Sequence, residues 1–121
     1  MTFLWIGEGS PRLSALARSI VLEPTNRLLL SAVSAWEINV KVSIGKLPLP
    51  ADPATYIRRT RAARDIVTIE FSEDDAAQIS ALPSHHRDPF DRALVSQAIT
   101  RSLAILTPDP AFRQYPIATL W

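Results

Sequence analysis

A chain of 121 residues, 47% hydrophobic and 21% charged, suits one soluble globular domain with enough apolar side chain for a core. It has no cysteine, only three glycines and a net charge of +1, so disulfides, thiolate metal sites, glycine-rich phosphate loops and a global basic footprint are excluded. The two histidines are adjacent, so the zinc motif H-E-x-x-H cannot be written. With no apolar run of about 18 residues and no basic leader, the expected compartment is the cytoplasm.

The chain opens on an apolar stub, Met1-Thr2-Phe3-Leu4-Trp5, with no strand ahead of it. Ser10-Pro11 carries the signature of a helix start, and Leu13, Leu16, Ala17, Ile20 and Val21 follow at helical spacing. Leu28-Leu29-Leu30 is a short continuous apolar run of the kind found in buried strands. Ser31 leads into a second helix from about Ala32 to Ser43, closed by Gly45, with Val33, Trp36 and Val40 marking its inner face. Asp52-Pro53 opens a third helix carrying Arg58, Arg59, Arg61 and Arg64. That cluster reads first as a solvated face and second as a contact for phosphate or a partner.

Ile66 to Phe71 alternates like a strand, and Ser72 with Asp75 caps a helix ending near Leu82-Pro83. Ser84 to Asp88 is a polar loop. A helix starts at Pro89, with Phe90, Leu94, Val95, Ala98 and Ile99 buried. Ala104 to Thr107 and Ile117 to Leu120 read as strands flanking the turn Pro108-Asp109-Pro110. Alternating strands and helices predict an α/β fold: a mainly parallel sheet covered on both faces, in one domain over residues 1–121.

Three carboxylates stand out against this frame. Glu37 lies in an apolar helix between Trp36 and Ile38, with Lys41 four residues on; it reads as an ion pair or as a metal ligand. Asp91 follows the helix cap Asp88 by three residues, where a carboxylate also suits the helix dipole. Asp109 follows a strand end and equally suits a turn. Crevices at strand carboxyl ends are where parallel sheets place their sites. An all-oxygen set there favours Mg²⁺ or Mn²⁺ and metal-assisted phosphoryl chemistry. His85 and His86 read as loop or RNA-facing residues, since nothing nearby completes a triad.

Ser34-Ala35-Trp36-Glu37-Ile38, Gly45-Lys46-Leu47-Pro48-Leu49, His86-Arg87-Asp88-Pro89-Phe90-Asp91-Arg92 and Thr107-Pro108-Asp109-Pro110-Ala111-Phe112 occur in this order. Together they resemble the PIN-domain family, in particular the VapC-type toxins of toxin–antitoxin modules. The resemblance implies a three-layer α/β/α fold and a Mg²⁺-dependent endoribonuclease held inactive by a cognate antitoxin. It also implies that Glu37, Asp91 and Asp109 act as catalytic metal ligands, with Thr107 and Arg92 beside the substrate. Homodimerisation is left open.

Such proteins usually open with a strand ending in Asp-Thr-His, whose Asp is a principal ligand. Here Met1 falls about two residues past that point, so the first strand and first ligand are expected to be missing. Two readings follow: a ribonuclease whose start lies farther upstream, or a catalytically inactive, antitoxin-binding remnant. On either reading, weak or absent cleavage by the 121-residue chain is expected.

Overall fold

The computed structural model describes residues 1–84 and 88–121; the readings of His85, His86 and Arg87 fall outside the described residues. The opening stub is a helix, α1 (Thr2–Glu8), with Phe3, Leu4 and Ile6 buried and Gly9 closing it in the left-handed region. Gly7 lets α1 approach its neighbour closely, since a Cβ there would lie 2.9 Å from Tyr56 Oη and 3.0 Å from Thr60 Cγ2. Helix α2 (Ala15–Leu22) starts after Ser14, whose side chain accepts from the Ala17 amide. The expected start at Ser10-Pro11 is instead a turn, in which the Ser10 hydroxyl accepts from the Arg12 amide and its carbonyl from the Leu13 amide.

Strand β1 (Leu28–Ser31) runs directly into α3 (Ala32–Ser43), Ser31 serving as the last strand residue and as the cap that accepts from the Val33 amide. Gly45, with φ of 74°, takes the left-handed position expected of it. Asp52 caps α4 (Pro53–Arg64), and Asp65 closes it in the left-handed region. Strand β2 (Ile66–Ile69) then pairs with β1 in parallel, Leu28 opposite Ile66 and Ser31 opposite Ile69.

Ser72 and Asp75 form the expected capping box of α5 (Glu73–Gln78), which passes into a 3₁₀ turn at Ile79–Ala81. Asp88 caps α6 (Pro89–Arg101) by accepting from the Phe90 and Asp91 amides. Strand β3 (Ile105–Leu106) pairs in parallel with β4 (Thr119–Leu120) across a 3₁₀ segment, Pro110–Gln114.

The strands are parallel, as the alternation of periods predicts, but among the described residues they form two sheets of two strands each. The physical reason lies between them. All four residues of β1, together with Ile105 and Leu106 of β3, line one cavity of about 630 Å³. One core cluster, including Phe3, Ala17, Leu30, Ile38, Ile57 and Ile66, ties α1 to α4 onto β1 and β2. A second, of Leu82, Val95, Phe112 and Tyr115, seats α6 against both 3₁₀ segments.

Two inner faces differ in detail from the sequence reading. Trp36 is not a core residue of α3: it is 59% exposed and meets Phe90 edge to face, ring centroids 4.7 Å apart. Val33, Glu37 and Ile38 are the buried residues of that helix. The Arg cluster of α4 is split, with Arg58 and Arg59 exposed and Arg61 and Arg64 half-buried.

Candidate active site

The cavity between the sheets is where the acidic side chains gather. Ser34, Glu37 and Lys41 recur at spacings of three and four along α3 and share one face, as helical geometry requires. Asp88 and Asp91 reach the same cavity from the first turn of α6. Thr107 and Asp109 reach it from the segment that follows β3. Asp88 and Asp91 therefore stand at a helix start and Asp109 just beyond a strand end, whereas Glu37 lies in the middle of α3.

Local hydrogen bonds fix several of these groups. Glu37 is only 7% exposed, and its Oε2 lies 2.6 Å from Lys41 Nζ. That hydrogen bond raises the Lys41 pKa against the opposing effect of burial, and the charges of Glu37, Asp88 and Asp91 add to the rise. The ammonium thus sits in the combined field of three carboxylates. Asp109 caps the 3₁₀ segment, its Oδ1 accepting from the Ala111 amide at 2.9 Å. The Asp109 amide donates in turn to Thr107 Oγ1 at 3.2 Å. Arg92 turns its guanidinium toward the preceding loop, donating to the carbonyls of Pro83 and Ile79 at 3.0 and 3.3 Å.

Met1 also lines the cavity, and its α-amino group lies within reach of the charges there. Its pKa is lowered, first by burial and then by the nearby charges of Lys41 and Arg12. The mouth therefore mixes anions with cations.

Glu37, Asp91, Asp109 and Thr107 thus line one cavity, and Arg92 is not among its lining residues. Among the described residues, no three acidic, histidine or cysteine side chains are drawn into a group tight enough to hold a metal ion. Like charges in one cavity keep apart unless a cation lies between them, and the cation that Glu37 holds here is Lys41. The donor set is nonetheless all oxygen, the chemistry that a hard divalent ion selects, and an ammonium already stands among the carboxylates as a cation.

Lys41 and Asp88 are members of this site that the sequence reading left in structural roles. The signal for Lys41 was its i, i+4 relation to Glu37; for Asp88 it was a cap position one turn ahead of Asp91.

A second polar centre lies apart from the cavity. Asp75 is 1% exposed and accepts from the Ser72 amide, from Thr100 Oγ1 and from the Arg101 guanidinium. Ser96 Oγ donates to the Asp75 carbonyl, while Gln97 and Arg101 donate to that of Glu70. Burial pushes the Asp75 carboxyl up, but the hydrogen bonds from Arg101, Ser72 and Thr100 outweigh it and hold the carboxyl well below the usual range. Its members are on α6, in the α5 cap and, at Glu70, just past β2, so this network joins elements.

A family model for the PIN domain matches residues 2–118. The chain is also 38% identical over 116 residues to ribonuclease VapC16 of Mycobacterium tuberculosis (strain ATCC 25618 / H37Rv), an alignment covering 91% of this chain and 77% of that protein. Helices packed on parallel strands, an acidic cavity beyond the strand ends and both matches lead to one assignment: the chain belongs to the PIN-domain family, has its three-layer α/β/α fold, and is of the VapC type.

Proposed function

We propose that this protein is a metal-dependent endoribonuclease, the toxin of a type II toxin–antitoxin pair, acting in the cytoplasm and restrained by a cognate antitoxin. The observation that carries the reading is that Glu37, Asp91 and Asp109 line the same cavity in a chain 38% identical to a VapC ribonuclease. Glu37, Asp91 and Asp109 would hold Mg²⁺ or Mn²⁺ through carboxylate oxygens. A divalent ion bound there supplies Lewis acidity toward the scissile phosphate and lowers the pKa of an attacking water. Burial with the Lys41 ion pair fixes the Glu37 carboxylate and the cap hydrogen bond fixes that of Asp109, so neither has to be ordered anew at each turnover. Thr107, which lines the cavity, would offer its hydroxyl to the RNA backbone, and Arg92, held by the Pro83 and Ile79 carbonyls outside the cavity lining, would have to leave them to meet a phosphate.

The test is cleavage of single-stranded RNA by the 121-residue chain with Mg²⁺ or Mn²⁺. Cleavage, even slow, that disappears with chelator and with Asp91→Asn supports the reading. Cleavage that survives either treatment overturns it. Absence of cleavage together with tight antitoxin binding would favour a non-catalytic partner-binding protein.

A further inference from the structure

The face of α3 that carries Glu37 into the cavity carries Lys41 one turn farther along. The two side chains differ sharply in freedom. Glu37 is buried, whereas 42% of the Lys41 side chain is exposed. The carboxylate is therefore the fixed partner and the ammonium the movable one, a hydrated point charge on a flexible four-carbon stem. On an open helix surface such a pair is a minor feature. Here Asp88 and Asp91 line the same cavity from α6, so Lys41 faces acidic side chains from two elements.

An ammonium 2.6 Å from Glu37 Oε2 occupies lone pairs that a divalent ion would need. We propose that Lys41 is a positioning residue that competes with the divalent ion for Glu37, keeping the carboxylate aimed into the cavity when no ion is bound and leaving toward solvent when one binds. The inference rests on the reading of Glu37 as a metal ligand.

Removing the charge at position 41 should tighten ion binding, while moving it to a guanidinium should not. Mn²⁺ titrations of the purified chain, read by electron paramagnetic resonance of the free ion, measure this without any turnover. The expected result for Lys41→Gln is binding about fivefold tighter than wild type, the size appropriate to a half-exposed ion pair. Lys41→Arg should bind no more tightly than wild type. In a Glu37→Gln background the Lys41→Gln change should have a clearly smaller effect, that of the longer-range charges of Asp88 and Asp91 alone, and an equal effect in both backgrounds would overturn the competition. Thermal unfolding in chelator reports separately whether each variant folds.

Equal or weaker binding by Lys41→Gln, with wild type binding Mn²⁺, overturns the competition and leaves Glu37 as a ligand. Tighter binding by Lys41→Arg as well overturns it too. Failure of wild type to bind Mn²⁺ at all, with no change in Glu37→Gln, removes the metal reading and the competition with it.

Discussion

Asp75 shows how much a single buried charge can hold. Its carboxylate joins the α5 cap to Thr100 and Arg101 near the end of α6, and removing one partner of a buried ion pair typically costs about 3–5 kcal/mol. Arg101 is partly exposed, which places Asp75→Asn near the lower bound, about 3 kcal/mol at pH 7, measurable by urea unfolding. The pH dependence has a definite sign. A carboxyl whose folded pKa is depressed contributes its full stability above its unfolded pKa, about 4, and loses it as pH falls toward the folded value. Wild type should therefore lose stability progressively below about pH 4, and Asp75→Asn should lose measurably less over the same interval. At this scale the sequence was only half legible. The Ser72–Asp75 capping box could be read from spacing, but Thr100 and Arg101 are distant in sequence and gave no local sign of sharing the same carboxylate.

Helix boundaries followed their capping chemistry where the cap was local. Asp52-Pro53, Ser72 and Asp88-Pro89 all start helices as their sequences predict. Ser10-Pro11 does not, because Ser14, which has an amide three residues on to bond, competes for the same role. Trp36 was misplaced for a different reason: helical spacing gives a face, and the side chains of α6 decide which arc of it is covered. Asp88 accepts from two amides of α6, so Asp88→Ala should cost about 1–2 kcal/mol in equilibrium unfolding.

Gly7 tests the packing of α1 on α4. Alanine would gain about 1 kcal/mol of helix propensity. Its Cβ would nevertheless press on Thr60, a buried residue with little room to move, and overpacking costs about 1–3 kcal/mol. The cost wins: Gly7→Ala should destabilise by about 1 kcal/mol, and a rise in the unfolding midpoint would show that α1 yields.

For the whole molecule, the sequence conveyed the α/β class and the parallel sense of the strands, since both follow from the order of periods. The division into two sheets depends on what lies beside β1 and β3 and not on either strand's own residues. A two-stranded sheet is marginal by itself, and a cavity of about 630 Å³ beside β1 deprives its side chains of dispersion contacts. The chain should therefore unfold thermally with a midpoint below about 60 °C, short of the upper end of the range for ordinary domains. A cooperative transition well above that temperature would mean that the helices alone hold the fold.

The central claim is that Glu37, Asp91 and Asp109 act together on one ion. Groups that act as a unit are grossly non-additive: one loss removes most of what they do jointly. The most direct measurement is metal-dependent RNA cleavage by Glu37→Gln, Asp91→Asn and Asp109→Asn, singly and in pairs. Each single change should reduce the rate by about a hundredfold or more, as loss of a group that stabilises developing charge does, and each pair should reduce it little further. Single losses of a few-fold that multiply in the pairs would show three independent carboxylates and contradict a shared site.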